Sequence, residues 1–127
     1  MISSYSRTIN LPFREVVSKT KQALAAEGFG ILSEIDVKAT LKAKLQVDFE
    51  EYIILGACNP PLAYQALKAE KEIGLMLPCN VVVFVRGGKT IVAAIRPTIA
   101  MEKSGNDALK PVAEKVEQKL KKVVDSI

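Results

Sequence analysis

The two cysteines of this chain are its strongest candidates for chemistry. Cys58 lies in the segment Ala-Cys-Asn-Pro-Pro and Cys79 in Leu-Pro-Cys-Asn, so an asparagine follows each thiol at the edge of an apolar stretch. Thiols beside a helix start or at the mouth of a strand can become nucleophiles or metal ligands. The chain contains no histidine, which removes the commonest general base and the commonest metal ligand. Any site is therefore expected near the two Cys-Asn pairs.

The two cysteines could also be ordinary core residues, because free cysteine often packs as a small buried apolar side chain. In the functional interpretation, Cys58 is an activated thiol. It comes directly before a capped helix, and the positive end of that helix would favour its thiolate form. Burial in an apolar strand would instead raise the pKa of Cys79. We therefore expect Cys58 to be the more reactive thiol.

The sequence leaves the distance between the two thiols open. The helix expected after Cys58 is about 20 Å long and carries the chain away from that residue. If the strand after Cys79 runs parallel to the strand before Cys58, the sulfurs lie at opposite ends of the sheet. If it runs antiparallel, a short return segment could bring them together. A closed zinc site needs about four ligands, so two cysteines fit a two-coordinate soft ion such as copper(I) better.

No classical catalytic constellation is present. No serine has a histidine partner, and the carboxylates from Glu34 to Glu51 have no recognisable catalytic spacing. The Gly-Gly-Lys stretch at 87–89 lacks the spacing of the common phosphate-binding glycine motifs. Asn59 and Asn80 could donate to a polar ligand, although caps and turns account for asparagines in such places. We expect a binding protein rather than an enzyme, and no cofactor is identified.

Length and composition predict one domain over residues 1–127, long enough to bury a core without disulfides. About half of the residues are apolar, a quarter are charged, and the formal charge is +4. No apolar run of about 18 residues could span a membrane, and the first residues lack the layout of a signal peptide. We expect a cytoplasmic protein with reduced thiols. The absence of tryptophan and the few aromatic residues make nucleic acid an unfavourable partner.

Apolar spacing and turn signals predict the order strand, helix, strand, short helix, strand, helix, hairpin, helix. The expected ranges are 2–9, 10–27 with its cap, 29–37, 38–46, 51–58, 60–73, 81–86 with 90–96, and about 107 onward. Residues 38–46 could also form an extended arm. This mixture predicts an α+β fold with a mostly antiparallel sheet of about five strands and helices on one face.

Capping and turn residues set the expected boundaries. Asn10 and Asn59 are expected to cap the helices that follow them, and Gly28 and Gly74 to end those helices. The pair Gly87-Gly88 predicts a two-residue hairpin, because a primed turn needs positive φ angles. The last helix should pack its apolar face, including Leu109, Val116 and Leu120, on the sheet.

Several of these segments together resemble the family catalogued as domain of unknown function 302. They are Phe13 with Val17, Gly28-Phe29, the strand with Tyr52, Ala57-Cys58-Asn59-Pro60 with Ala63, and Gly74 to Asn80. The resemblance covers nearly the whole chain, and its Cys-Asn-Pro and Leu-Pro-Cys motifs are the most specific part. It implies a small α+β fold with a curved sheet, similar to the TATA-binding-protein-like class, and a homodimer. It implies no settled activity, and likeness to a DNA-binding fold does not indicate DNA binding.

The sequence thus predicts a cytoplasmic, homodimeric binding module of uncharacterised activity with a pocket for a small ligand. The expected ligand-binding residues are Cys58, Asn59, Pro60, Leu75, Met76, Leu77, Pro78, Cys79 and Asn80. The alternative is a thiol-based protein that binds a soft metal or exchanges sulfur or electrons through Cys58 and Cys79. A third possibility is an interaction domain whose cysteines belong only to the core.

Overall fold

The chain forms a five-stranded sheet with helices against one of its faces, and the computed structural model describes residues 3–127. The strands are β1 Ser4–Ile9, β2 Gly30–Asp36, β3 Tyr52–Cys58, β4 Cys79–Arg86 and β5 Lys89–Ile95. The helices are α1 Phe13–Ala26, α2 Val37–Leu45, α3 Pro60–Ala69, α4 Pro97–Ala100 and α5 Lys110–Asp125. The expected strand start at Ile2 lies outside the described residues. Among the described helices, none is long and apolar enough to cross a membrane.

Every neighbouring pair of strands in the sheet runs antiparallel, in the order β1-β5-β4-β3-β2. The expected α+β fold is therefore confirmed, and the sheet is open rather than closed into a barrel. The hairpin is also confirmed: Gly87 and Gly88 join β4 to β5 with φ angles of 56° and 76°. Positive φ at both central residues is what a type I′ turn requires.

One face of the sheet carries the main core. Alternate residues of the strands are buried there, because successive side chains of a strand point to opposite faces. Ile53, Leu55, Val81 and Val83 pack in this core with α1 and α5. The side chains that the two helices contribute include Val16, Leu24, Leu120 and Val124. Burying each such side chain contributes about 1.5–3 kcal/mol, so the packing of α1 and α5 stabilises the sheet.

A second, smaller core joins α3 to α5 beyond the end of the sheet. It contains Leu62, Ala66, Ile73, Met101, Leu109, Val112 and Ala113. The expectation that Leu109 packs on the sheet is wrong, because the 3-10 turn Asp107–Leu109 precedes α5 and lies against α3. Leu120 packs on the sheet as expected, and Val116 contacts both cores.

The boundaries of α1 differ from the expectation at one end only. Pro12 is the N-cap, with no side-chain cap, so the expected cap at Asn10 is wrong. Proline removes no hydrogen bond at this position, because the first N–H groups of a helix have no acceptor within the helix. At the other end, Gly28 has a φ of 83°. The bonds from Gly28 N–H to Ala25 and from Phe29 N–H to Leu24 form a Schellman motif.

The segment after β2 is a helix rather than an extended arm. Asp36 caps α2 by accepting a hydrogen bond from the N–H of Ala39 at 3.0 Å. Gln46 ends the helix in the left-handed region, with a φ of 54°. No side chain of α2 is buried, so this helix lies at the margin of the molecule.

Candidate functional site

The antiparallel pairing of β3 with β4 brings the two cysteines to the same end of the sheet. In the register of this pair, Ala57 lies opposite Cys79, and Cys58 is the next residue along β3. Of the two arrangements that the sequence left open, the antiparallel one is therefore present. Cys58 is half-buried and Cys79 is buried, and neither forms a disulfide.

Helix α3 begins directly after Cys58, and Asn59 fixes its start with two hydrogen bonds. The Oδ1 atom of Asn59 accepts a hydrogen bond from the N–H of Leu62 at 3.4 Å. Its Nδ2 atom donates to the carbonyl oxygen of Glu27 at 3.3 Å, at the end of α1. Asn59 thus caps α3 and ties it to α1, so backbone partners already occupy both ends of its amide.

The return from α3 to Cys79 is longer than the sequence indicated. The helix ends at Ala69 rather than Ile73, because Glu70 takes an extended conformation with φ −150° and ψ 107°. A 3-10 turn, Lys71–Met76, then carries the chain back, and Leu77 leads into Pro78 through a cis peptide bond. Gly74 lies inside this turn instead of ending the helix.

A pocket, here called the cysteine pocket, lies where these segments meet. Its floor is the end of β3 and the start of β4, with Ala57, Cys58 and Cys79. Its walls are side chains of α3 and α5, namely Leu62, Ala63 and Ala66 with Val112, Ala113 and Val116. Counted out to its open mouth, the cavity has a volume of about 400 Å³. The space open to the centre of a water molecule is only about 30 Å³, so the interior is narrow.

The protonation state of the buried thiol follows from this apolar setting. Burial, and to a smaller extent charge repulsion from the nearby Cys58, raise the pKa of Cys79 to about 11. Cys79 is therefore a neutral thiol at physiological pH. Within residues 3–127, no group of three or more histidine, cysteine, aspartate or glutamate side chains is arranged to hold a metal ion.

The structure brings together only part of the expected site. Five of the nine expected residues line the cysteine pocket: Cys58, Asn59, Leu77, Pro78 and Cys79. The other four, Pro60, Leu75, Met76 and Asn80, do not. Leu75 is 87% exposed and Met76 is 40% exposed on the 3-10 turn. Asn80 pairs with Gly56 and lies on the opposite face of the sheet.

Met101 was not predicted at the site. The buried carboxylate of Glu117 holds the segment that carries Met101 in place. Met101 lines the cysteine pocket and follows α4. The carboxylate of Glu117 in α5 accepts hydrogen bonds from the Thr98 hydroxyl at 2.6 Å, the Thr98 N–H at 3.1 Å and the Arg96 guanidinium at 3.3 Å. Burial alone would raise the pKa of Glu117, but the bonds from Thr98 and Arg96 outweigh it and lower the pKa. A charged Glu117 therefore anchors the wall that carries Met101.

The helical spacing of the sequence indicates that Glu117 is buried. Glu117 follows the buried Ala113 by four residues and precedes the buried Leu120 by three, so it falls on the apolar stripe of a helix. An acidic residue on such a stripe is unusual unless it is paired. Met101 carried no comparable signal, because a loop residue has no periodicity.

Comparisons with known proteins give the relatives of this fold. A family model described as "Domain of unknown function DUF302" matches residues 5–127. The fold is also similar to a crystal structure of an uncharacterized conserved protein DUF302 from Bacillus stearothermophilus. That likeness has 30% sequence identity and a TM-score of 0.91, and covers 96% of this chain and 95% of that chain. No curated protein matches this chain.

Proposed function

This chain belongs to the DUF302 family, and we propose that it is a binding module which holds a small, uncharged, apolar ligand in the cysteine pocket. The observation that carries the proposal is the lining of the pocket. Apolar side chains of α3, α5 and the strand ends surround it, and its lining includes both cysteine residues. Apolar cavities with a few polar groups are the usual form of small-molecule sites.

The chemistry of the lining favours an uncharged ligand. Cys79 stays protonated because its pKa is about 11, and the amide of Asn59 already bonds to backbone groups. A charged ligand would lose its hydration without gaining a partner, which costs several kcal/mol or more. An apolar ligand loses nothing of this kind and gains the burial of its own surface.

The dimensions of the cysteine pocket favour a slender ligand. The space inside it that is open to the centre of a water molecule is about 30 Å³, far below the roughly 300–1,000 Å³ of ordinary ligand sites, so only a slender ligand could enter it. The narrow interior would admit an unbranched chain more readily than a ring system. No catalytic residue is proposed, and the module is not proposed to be an enzyme.

A series of unbranched alcohols tests this proposal. Each added methylene that enters an apolar site contributes about 0.8 kcal/mol, so affinity should rise roughly four-fold per carbon from 1-butanol onward. The rise should stop once the chain fills the cysteine pocket. Binding is followed by amide chemical shifts in two-dimensional NMR, with Ala57, Cys58 and Ala113 expected to shift most. A series without chain-length dependence, or with shifts elsewhere, would exclude the proposal.

Thiol chemistry is the second candidate function. It is favoured by the position of Cys58 next to Ala57, which pairs with Cys79 across the sheet, and by the charge repulsion of Cys58 that helps to raise the pKa of Cys79. Two thiolates could bind one copper(I) ion. They could also exchange with a small disulfide such as oxidised glutathione. In that reaction the two thiols form one disulfide, and oxidised glutathione is reduced to two molecules of glutathione, which take up the two protons.

Alkylation of the native protein separates the two candidates. With iodoacetamide near neutral pH, the half-buried Cys58 should react before the buried, protonated Cys79, so Cys58→Ser should abolish most labelling and Cys79→Ser should leave it nearly intact. Thiol chemistry gains support if Cys58 reacts faster than free cysteine at the same pH. It loses support if neither thiol reacts before unfolding.

We further propose that the module is a cytoplasmic homodimer and does not bind nucleic acid. Reduced thiols are the usual state of cysteine in the cytoplasm, which supports this location. Light scattering at tens of micromolar protein should give twice the mass of the 13.8 kDa chain, since a micromolar-class interface would largely form there. A mass of one chain would contradict the dimer.

A further inference from the structure

The main core covers only one face of the sheet. The other face, here called the open face, carries the strand residues that alternate with the buried ones. A solvated sheet face is usually polar, but the centre of this one is apolar, and apolar patches of this kind often mark binding sites. Its central residues are Tyr52 and Ile54 of β3, Val82 and Phe84 of β4, and Ile91, Ala93 and Ile95 of β5.

A groove runs along the open face. The space in it that is open to the centre of a water molecule is about 680 Å³, within the roughly 300–1,000 Å³ of ordinary ligand sites. Its lining on β4 extends from Asn80 to Arg86, which is about 20 Å along a strand. The groove therefore has the volume and the length for one chain-like molecule.

One end of the groove is positively charged. Arg86 lines it there, and Lys89 lies directly opposite Arg86 in the β4–β5 hairpin, so both belong to the open face. Within residues 3–127, neither side chain takes part in an ion pair. Arg7 also lines the groove, but its guanidinium donates to the carbonyl oxygen of Val124 at 2.8 Å, on the helix side. The two hairpin cations are thus available to an anionic group.

The lining adds no negative charge to compete for these cations. Among the described residues that line the groove, none is acidic. Glu50 and Glu51 come directly before β3 and do not line it. An anion at this end would therefore meet two cations and no carboxylate of the lining.

Aromatic rings hold the Arg86 guanidinium while its donors stay accessible. The guanidinium lies over the ring of Phe84 at 5.2 Å, and that ring stacks on Tyr52 with centroids 5.2 Å apart. A stacked guanidinium keeps its N–H groups in its own plane, where they can bind a carboxylate through two parallel hydrogen bonds. Because the stack restricts Arg86 before any ligand arrives, binding loses less side-chain entropy.

A carboxylate at the head of an unbranched chain matches both parts of the open face. Its head group would meet the cations of the hairpin, and its chain would cover the apolar residues along β4 and β5. A ligand with charge along its whole length would place that charge on apolar side chains, where it has no partner. A bilayer surface is too flat to follow a groove, which favours a free molecule.

We propose that the open face binds the free anion of an unbranched carboxylic acid, with its carboxylate on Arg86 and Lys89 and its chain along β4 and β5. This site is separate from the cysteine pocket, which lies under α3 and α5 and for which an uncharged ligand is proposed. The charge of the head group decides which of the two sites a chain-like ligand enters.

Octanoate and octylammonium test this site, because they share a chain length and differ in the sign of the head group. In two-dimensional NMR, octanoate should shift the amides of Val82, Phe84 and Ala93 most and bind at least about ten-fold more tightly than octylammonium. From hexanoate to decanoate, affinity should rise about four-fold per methylene. Equal binding of the two ions, or octanoate shifts confined to Cys58 and Ala113, would overturn the proposal.

Variants of the cations test the head-group contact. Arg86→Gln should weaken octanoate binding about ten-fold, and Lys89→Gln about three-fold, because single exposed charges interact weakly. The matched control, Lys115→Gln, removes the same charge from the exposed side of α5 and should leave binding unchanged. Equal octanoate affinity in Arg86→Gln and Lys115→Gln would refute the contact. Binding of 1-hexanol to the cysteine pocket should persist in Arg86→Gln, so failure of this site is distinguished from failure of the proposed function.

Other occupants of the open face would give different results. If its amides respond to phosphatidylglycerol vesicles but not to octanoate, the face docks on a membrane and the proposal is wrong. If the wild type has the mass of two chains and these amides respond to neither, a second copy covers the face and the proposal is equally wrong.

Discussion

Cys79 links the chemistry of the cysteine pocket to the stability of the fold. Its pKa is about 11 in the folded chain against an ordinary value of 9.0. Between these two values the unfolded thiol has lost its proton and the folded thiol has kept it. The free energy of unfolding therefore falls as pH rises through this window, and the contribution of Cys79 is fully present only below about pH 9.

The Cys79→Ala variant measures this contribution. A rise in pKa of this size corresponds to about 2–3 kcal/mol, so the wild type should lose about that much more stability than Cys79→Ala between about pH 8 and about pH 11. Denaturant unfolding at several pH values gives the comparison. Cys58→Ala is the control and should retain most of the wild-type pH dependence, since burial is the larger cause of the raised pKa. Identical slopes for the wild type and Cys79→Ala would contradict this assignment.

Gly56 is required because Pro78, a wall of the cysteine pocket, packs directly on it. A Cβ atom at Gly56 would lie 2.8 Å from Cγ of Pro78 and in collision with Oγ of Ser33. Gly56→Ala should therefore displace Pro78 and lower the free energy of unfolding by about 1–3 kcal/mol. Gly74→Ala is the matched control, because no atom lies within 4 Å of its added Cβ. Equal unfolding midpoints for the two variants would show that Pro78 can move aside without lowering the free energy of unfolding.

At the level of elements, α5 holds α4 and the Met101 segment through one carboxylate. Glu117→Gln keeps the shape of the side chain but removes its charge and the ion pair with Arg96. We expect a loss of about 1–2 kcal/mol at neutral pH, the lower part of the range for charged hydrogen bonds, since Arg96 is about one-third exposed. Denaturant unfolding measures the loss. Glu114→Gln, on the exposed side of α5, should change little.

The lowered pKa of Glu117 gives this anchor a pH dependence. Its stabilisation is present above the ordinary pKa of a carboxyl group and is lost as pH falls through the lower folded value. The difference in stability between the wild type and Glu117→Gln should therefore shrink on acidification. A constant difference down to about pH 3 would show that the charge of Glu117 is not what holds the segment.

Periodicity and turn chemistry were sufficient to predict most elements of this chain. The Gly87-Gly88 hairpin, the Asn59 cap and the Gly28 helix end each have a local cause that the sequence displays. The end of α3 was misplaced because Ile73 continues the apolar spacing of the helix although Glu70 breaks its backbone. Leu75 and Met76 were expected at the site because they are apolar, yet the turn directs them outward. Such positions depend on tertiary packing, which no local pattern encodes.

At the level of the whole molecule, the cysteine pocket lies on the helix-covered side of the sheet, under α3 and α5. Pro78 joins the two sides of the sheet end, because it lines the pocket and also packs on Gly56, which faces the opposite side.

Blocking the cysteine pocket tests its proposed role most directly. Ala63 lines the pocket from α3 and is only half-buried, so Ala63→Met can fill the pocket without disturbing the core. Ala25→Met, on the exposed side of α1, is the matched control. In an NMR titration with 1-hexanol, the wild type and Ala25→Met should show the same dissociation constant and the same shifts around Cys58 and Ala113. Ala63→Met should bind at least ten-fold more weakly. Equal binding by Ala63→Met, or the absence of localised shifts in the wild type, would contradict the assignment of a ligand site to the cysteine pocket.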